Sequence, residues 1–284
     1  MEKLEYTCEK EDTLFDFLIQ KKPNLNYQIL KIALRKKDIK INGKKVFENK
    51  LISNGDVITV YLPEKKKRLV DVVFEDENIL IVSKPAGMET TKKDKTYLES
   101  DCLEDIFEGT FACHRLDKNT EGLVILAKSK KAYNQMQEVI KLRKVHKTYF
   151  AVCSGKVLNE ANLTDYLVKN DNMVKIYSKE MPNSKVVKTN YKMVEKQDDL
   201  YLLEIDLLTG RTHQIRAHLA FHKIFVLGDQ KYGNKDTNKK YHTKRQLLCA
   251  SKLYFDNLPD VFKKLSNKSF EVKPTFSLDD FKKN

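Results

Sequence analysis

The strongest constraint on the fold is a succession of short apolar runs that begins at residue 70. These runs read VDVVFED, NILIVSKP, FACHRL, GLVILAK, HKTYFAVCSG, VVKTNYKMVE, LYLLEIDLL and RQLLCASKLYF, and each has the length and composition of a β-strand. Two stretches with helical character interrupt them, SKKAYNQMQEVIKLRK and THQIRAHLAFH. Because strands and helices do not alternate regularly, the sequence predicts an α+β domain built on a mixed, largely antiparallel sheet.

The first 62 residues follow a different pattern and predict a small separate module. Thr13 precedes an apolar cluster and Asp16 follows three residues later, which indicates a capped helix. A second helix is predicted from apolar residues that recur on one face, namely Ile29, Leu30, Ala33 and Leu34. The β-like runs IKINGKKV and NGDVITVYLP follow, each with an Asn-Gly turn. We therefore predict domains at residues 1–62 and 70–284, joined by the basic linker PEKKKRL at residues 63–69.

Basic side chains crowd the exposed side and the end of the second predicted helix. They are Lys31, Arg35, Lys36 and Lys37. A single surface lysine is most often simply solvated, but this concentration on one helix favours a binding patch. The whole chain carries 53 Lys and Arg against 40 Asp and Glu, a formal net charge of +13, which favours phosphate-rich partners. Charge alone does not choose between DNA, RNA and an anionic membrane.

The sequence carries the features of a cytoplasmic protein. No apolar run approaches the roughly 18 residues that span a bilayer, and the N-terminal stretch MEKLEYTCEKEDTL lacks a basic region followed by an apolar core. The five cysteines are scattered and form no C-x-x-C pair, which predicts reduced thiols. We expect no membrane partner, and a monomer is the default expectation.

Two polar motifs, HRLDKNTEG from residue 114 and GRTHQIRAH from residue 210, carry the candidate chemistry. Asp117 lies in a predicted turn, where a lone aspartate most often only accepts hydrogen bonds from backbone N–H groups. Its neighbour Arg115 and the second arginine-rich motif favour a functional site instead. Arg211 is predicted near the start of a helix, where its guanidinium can pair with a phosphate or with Asp117.

Several other chemistries are disfavoured. Three nearby histidines suggest a metal site: His213, His218 and His222. At 100° per residue, however, His213 lies about 140° from His218 on a helix, so the three cannot share one side. No cysteine or carboxylate motif near them in the sequence completes a zinc site, so we expect no metal. The G-x-S-x-G elbow and Gly-rich nucleotide loops are also missing, which argues against serine hydrolases, kinases, P-loop ATPases and Rossmann dehydrogenases.

Five motifs in this order make the chain resemble the RluA-type family of RNA pseudouridine synthases. They are KPAG, HRLDKNTEGLVILAKS, KTYFAVCSG, GRTHQIRAHL and LGDQKYG. The first 62 residues resemble the αL RNA-binding domain first recognised in a small-subunit ribosomal protein. The resemblance implies an enzyme that detaches a uracil from its ribose, rotates it and rejoins it through carbon, without a cofactor.

The resemblance also implies roles for particular residues. Asp117 corresponds to the catalytic nucleophile, and Arg211 would supply the ion pair that favours its charged form. Tyr149 would stack on the uracil that has left the RNA. Arg115 would either enter the gap left by the flipped nucleotide or contact a phosphate, and His114 would shape the loop.

The substrate expected from the resemblance is structured RNA, most often large-subunit ribosomal RNA, with transfer RNA as a second possibility. Glu121 and Cys249 stand where the family often has serine and histidine, and these departures bear on the substrate more than on the reaction. A non-catalytic RNA-binding or ribosome-assembly factor is the alternative function. DNA binding is a third hypothesis.

Overall fold

The computed structural model describes residues 2–22, 25, 27–62, 69–91, 102–170 and 173–282. The chain forms two compact units, residues 1–69 with 91–106, and residues 70–90 with 107–284. All of the predicted linker except Leu69 lies outside the described residues. Among the described residues, no helix combines the length and the apolar composition that a membrane span requires.

The first unit is a small sheet with helices. Its elements are β1 (Glu2–Thr7), β2 (Asp12–Thr13), α1 (Leu14–Lys21), α2 (Tyr27–Lys36), β3 (Ile39–Ile41), β4 (Lys44–Lys45), β5 (Leu51–Ile52), β6 (Val57–Leu62) and α3 (Leu103–Ile106). The strands pair in the order β1-β6-β3-β4, with β2 and β5 in a separate pair. A shared apolar core fills the unit, and its buried members include Phe15, Leu30 and Ile58.

The local signals of this unit act as predicted. The Thr13 hydroxyl accepts from the backbone N–H of Asp16 at 3.3 Å and donates to the Asp16 carboxylate at 2.7 Å, which caps α1. Asn42 and Gly43 both adopt positive φ, of 50° and 77°, which the tight turn between β3 and β4 requires. Strand β1 was not predicted, although its side chains alternate between half-buried and exposed positions.

The second unit is organised around one long sheet. Its elements are β7 (Asp71–Glu75), β8 (Ile79–Lys84), β9 (Phe111–Ala112), β10 (Glu121–Ala127), α4 (Lys130–Lys141), β11 (Val145–Gly155), β12 (Glu160–Asn170), β13 (Met173–Tyr177), β14 (Lys185–Gln197), β15 (Leu200–Leu207), α5 (Gln214–Phe221), β16 (Ile224–Val226), α6 (Lys235–Lys240), β17 (Leu248–Phe255) and β18 (Ser269–Glu271). The strand order is β13-β12-β14-β15-β11-β17-β10-β8-β7, with β16 beside β11, β18 beside β17 and β9 beside β10.

The predicted mixed, largely antiparallel sheet is confirmed. The pairing of β10 with β17 is parallel, and the other described pairings of this sheet are antiparallel. Every residue of β10 is buried. Its apolar side chains pack with the buried face of α4, through residues such as Leu123, Ile125 and Met136.

Two elements of the structure are shorter than the sequence predicts, and both lie beside the candidate site. The strand FACHRL is reduced to Phe111 and Ala112, so the residues from His114 to Asp117 lie in the connection to β10. The helix predicted from THQIRAHLAFH begins only at Gln214, because His213 adopts a left-handed backbone with φ of 52°. The residues from Thr209 to Thr212 therefore precede the helix instead of forming its first turn.

Candidate active site

Asp117 lies in a firmly held connection between β9 and β10. The backbone N–H of Thr120 donates to the Asp117 carbonyl at 3.0 Å, which closes a turn. One residue earlier, the Thr90 hydroxyl donates to the Leu116 carbonyl and accepts from the Leu116 N–H, both at 3.1 Å. The Asp117 side chain is 23% exposed. The carboxylate is thus fixed in direction and still accessible.

A buried ammonium group ties the end of β8 to this connection. Lys84 is fully buried, and its Nζ donates to the carbonyls of Pro85, Met88 and Lys118 at 3.1, 2.8 and 3.2 Å. The N–H of Gly87 also donates to the Lys118 carbonyl, at 2.8 Å. Burial lowers the pKa of Lys84 to about 8. The KPAG motif therefore supports the residue that directly follows Asp117.

Arg216 is the guanidinium that pairs with Asp117. Its Nη1 donates to Asp117 Oδ2 at 2.7 Å. Its Nε and Nη2 donate to the two carboxylate oxygens of Asp229 at 2.7 and 2.9 Å, a bidentate arrangement that fixes the plane of the guanidinium. Although burial opposes it, hydrogen bonding and charge from Arg216 hold the pKa of Asp229 below its usual range. Asp229 remains the ionised anchor of Arg216.

The prediction that Arg211 pairs with Asp117 is wrong. Arg211 is exposed, and its backbone N–H donates to the Gln214 side chain at 3.1 Å. The prediction assumed that the helix begins near Thr209, whereas the left-handed His213 delays its start. Arg216 therefore occupies the first turn of α5 and reaches the carboxylate.

His213 and Tyr232 complete the surroundings of the carboxylate. His213 Nε2 lies 3.8 Å from Asp117 Oδ1, and its Nδ1 lies 3.0 Å from the Tyr232 hydroxyl. The Tyr232 ring lies 5.3 Å from Cζ of Arg216, within the range of a cation–π contact. Burial lowers the pKa of His213, which favours its neutral form beside the ion pair.

The other predicted site residues of this unit lie on β11 and in the Asp117 connection. Tyr149 is buried on β11, and burial followed by the charge of Asp117 raises its pKa. Arg115 is exposed. His114 Nε2 accepts from the Ile125 N–H at 3.2 Å, and burial lowers its pKa well below the usual value. A neutral, hydrogen-bonded His114 supports the connection.

Sequence reasoning missed Arg216, Asp229 and Tyr232, although all three lie inside quoted motifs. Arg216 belongs to GRTHQIRAH, and Asp229 and Tyr232 belong to LGDQKYG.

The predicted basic residues of the first unit are exposed on or directly after α2, and they are Lys31, Arg35, Lys36 and Lys37. Glu121, at a position where serine is frequent, is buried and accepts from the N–H and the hydroxyl of Thr275, both at 2.7 Å.

Comparison with known proteins shows which family the chain belongs to. Residues 78–221, which contain Asp117, Tyr149 and Arg216, match the family described as RNA pseudouridylate synthase. The chain belongs to this family. The match confirms the family resemblance and includes four of the five motifs, all except LGDQKYG. It favours an RNA-modifying enzyme over a non-catalytic binding protein. As a pseudouridylate synthase, the chain isomerises uridine in RNA to pseudouridine.

Individual relatives extend the similarity beyond the family match. A ribosomal large subunit pseudouridine synthase C from Rickettsia felis is 32% identical over 244 residues, which cover 75% of this chain and 79% of that protein. An uncharacterized RNA pseudouridine synthase from Mycoplasma capricolum is 32% identical over 300 residues, with coverage of 94% and 95%. The structure of the human RNA pseudouridylate synthase domain-containing protein 1 covers 78% of this synthase and 96% of its own chain, with a TM-score of 0.56 and 24% identity, and shares its fold.

Proposed function

We propose that this synthase uses Asp117 as its nucleophile, Arg216 as the ion-pair partner of that carboxylate, and Tyr149 as the surface on which the uracil stacks. The observation that carries the proposal is the 2.7 Å contact between Arg216 and an Asp117 carboxylate that is still 23% exposed. Because the carboxylate is partly exposed, it keeps a face that a substrate can reach.

The reaction places clear demands on these groups. The bond between C1′ of the ribose and N1 of the uracil breaks, the base rotates, and C1′ bonds to C5, which loses its hydrogen as a proton while N1 gains one. Asp117 must stay ionised to attack the ribose or the uracil, and the covalent bond that it forms must break again before the product is released. The adjacent guanidinium stabilises the charge of the carboxylate. Because Asp229 holds the opposite side of Arg216 in two hydrogen bonds, the guanidinium needs no reorientation during the reaction.

Tyr149 and Arg115 would stabilise the RNA after the uracil has flipped out of the stack. Extruding a base costs a few kcal/mol, and stacking on an aromatic ring returns about 1 to 3 kcal/mol. The raised pKa of Tyr149 keeps its phenol neutral, so the ring offers an uncharged stacking surface. Arg115 is exposed two residues before Asp117, where its guanidinium can contact the RNA beside the extruded nucleotide.

The RNA is inferred from the relatives and from charge. Several similar proteins are named for the ribosomal large subunit, so we infer large-subunit ribosomal RNA as the substrate, with transfer RNA as the competing outcome of the test. The first unit, which resembles an αL domain, would bind that RNA through the basic side chains of α2. We also infer a monomer as the default state, and a cytoplasmic location because ribosomal RNA is the inferred substrate.

Asp117→Asn tests the assignment, because it keeps the size of the side chain and removes its charge. We expect the wild-type protein to form pseudouridine in large-subunit ribosomal RNA, and the variant to form none while its RNA affinity is unchanged. Asp198→Asn changes an exposed aspartate and should leave turnover intact. Pseudouridine formation by Asp117→Asn would refute the assignment of Asp117 as the nucleophile. Modification of transfer RNA but not ribosomal RNA would refute the assignment of ribosomal RNA as the substrate.

A further inference from the structure

Two histidines and an aspartate converge on the side of α5 that faces the sheet. Asp165 Oδ2, from β12, lies 3.0 Å from His218 Nε2 and 2.6 Å from His222 Nε2. The potential ligand atoms of the three residues all lie within 4.8 Å of one another. Asp165 is 53 residues from His218 in the chain, which is why the sequence shows no motif here.

We propose that Asp165, His218 and His222 bind a divalent transition metal ion of the zinc type. Two imidazole nitrogens and one carboxylate oxygen form a ligand set that zinc commonly uses. Tetrahedral bonds of about 2.0 to 2.1 Å separate neighbouring ligand atoms by about 3.3 Å. The contacts of 3.0 and 2.6 Å therefore need to open by less than about one ångström.

The surroundings of His218 support metal binding. Its Nδ1 lies 2.9 Å from the Thr189 hydroxyl oxygen, which also accepts from the Gln214 side chain at 3.1 Å. With a metal on Nε2, the ring proton moves to Nδ1 and can be donated to Thr189, an arrangement that orients ligating histidines.

The three proposed ligands differ in solvent exposure in a way that suits a metal site. His218 is fully buried and the Asp165 side chain is 7% exposed, whereas the His222 side chain is 33% exposed. The first two ligands are thus pre-positioned, and the third lies at an entrance. Solvent at that side can supply the fourth ligand of a tetrahedral zinc ion.

The proposed ion would fix the helix that carries Arg216. Residues 216 and 218 are two positions apart, about 200° around a helix, so their side chains point to opposite sides. One side of α5 holds Asp117 through Arg216, and the other contacts β12 and β14 through His218. The ion would join α5 to β12 without entering the reaction. The proposal does not depend on the assignment of the nucleophile.

Zinc binding by the full chain tests the proposal directly. The protein is stripped with a chelator and dialysed against Zn²⁺, and its metal content and Tm are measured. We expect about one tightly bound zinc ion per chain and a Tm that rises by several degrees in excess zinc. Co²⁺ in its place should give the visible absorption of a tetrahedral site.

Variants separate this site from other sources of zinc binding. His222→Ala and Asp165→Asn should each lose the bound zinc and the rise in Tm. His146→Ala removes a histidine that forms a similar pair with Asp256 at 3.0 Å, and it should keep both. If His222→Ala binds as much zinc as the wild type, the ion is held elsewhere. If the wild-type protein takes up none, the cluster is a hydrogen-bonded brace. Either result overturns the proposal.

Discussion

Arg216 serves two carboxylates at once, and this sets the charge of the site. One positive guanidinium faces Asp229 and Asp117, while burial favours the neutral form of His213. The group as a whole therefore keeps one negative charge. Asp229 is almost fully buried and takes two of the three hydrogen bonds. The remaining charge lies on Asp117, the more exposed of the two carboxylates.

Arg216→Lys should lower turnover about 100-fold, because an ammonium cannot bridge two carboxylates and a small misplacement of the reacting group is costly. Arg211→Lys is the matched control and should retain turnover. Single-turnover rates on a modified RNA site, with RNA affinity measured separately, distinguish the two variants. A larger loss in Arg211→Lys than in Arg216→Lys would restore the pairing that the sequence predicted.

Arg216→Met should destabilise the fold by about 3 to 5 kcal/mol, since it leaves the buried Asp229 carboxylate without its partner. Urea unfolding of the two proteins measures the change. The double variant with Asp229→Leu removes both charges and should recover part of the loss. No recovery would show that the ion pair is not the cause.

His114 should make stability depend on pH. Its pKa is lowered in the folded protein, whereas the unfolded chain binds a proton near pH 6.5. Below that pH the unfolded state binds more protons, so the free energy of unfolding should fall as the pH falls, by up to about 1.4 kcal/mol per unit for this residue. His114→Gln offers Ile125 a neutral acceptor at the position of Nε2 and should weaken the dependence, measured by urea unfolding between pH 5 and 7.5. Part of the dependence should remain, because the pKa values of His213 and His218 are lowered as well. His242→Asn, at an exposed position, should behave as the wild type.

At the scale of elements, the site depends on the end of β8 and on the start of α5. The end of β8 supplies Lys84, whose three hydrogen bonds bind the KPAG turn to the Asp117 connection. The start of α5 is set by the left-handed His213, which determines which arginine faces Asp117. One element supports the backbone beside Asp117 and the other pairs with its carboxylate, so each can be altered separately.

Lys84→Met should reduce turnover more than it reduces RNA affinity. It removes the donor shared by three carbonyl groups, and an unsatisfied buried polar group costs about 1 to 3 kcal/mol, which should loosen the position of Asp117. Lys118→Met is the control, because the Lys118 side chain is exposed and its carbonyl is retained. Comparison of kcat and KM for both variants gives the answer. Equal effects would show that the Lys84 ammonium does not support the loop.

At the scale of the whole molecule, the net charge of +13 makes RNA binding sensitive to salt. Replacing Lys31, Lys36 and Lys37 by Gln should reduce the slope of log K against log salt by roughly 0.7 to 0.9 for each RNA phosphate that the variant no longer neutralises. Replacing the exposed Lys263, Lys268 and Lys273 removes the same charge elsewhere. If both triple variants change the slope equally, total charge and not the α2 surface governs binding.

Short-range signals in the sequence predicted much of the fold. The cap at Thr13, the Asn-Gly turn after β3 and the continuous apolar run of β10 all act within a few residues. Strands β12 and β13 escaped prediction for different reasons. Six of the eleven residues of β12 are polar, and β13 is only five residues long. Their place became visible only through their pairing with each other and with β14.

The sequence by itself determined the family, the strand-rich α+β architecture and the candidate nucleophile, because motifs and periodicity are properties of neighbouring residues. Tertiary structure alone decided that Arg216 and not Arg211 faces Asp117, across 99 residues of chain, and that Asp165 joins two histidines of α5. The physical reason is that an ion pair depends on where separate elements meet and on the phase of each helix. In this protein a single left-handed residue, His213, shifts that phase.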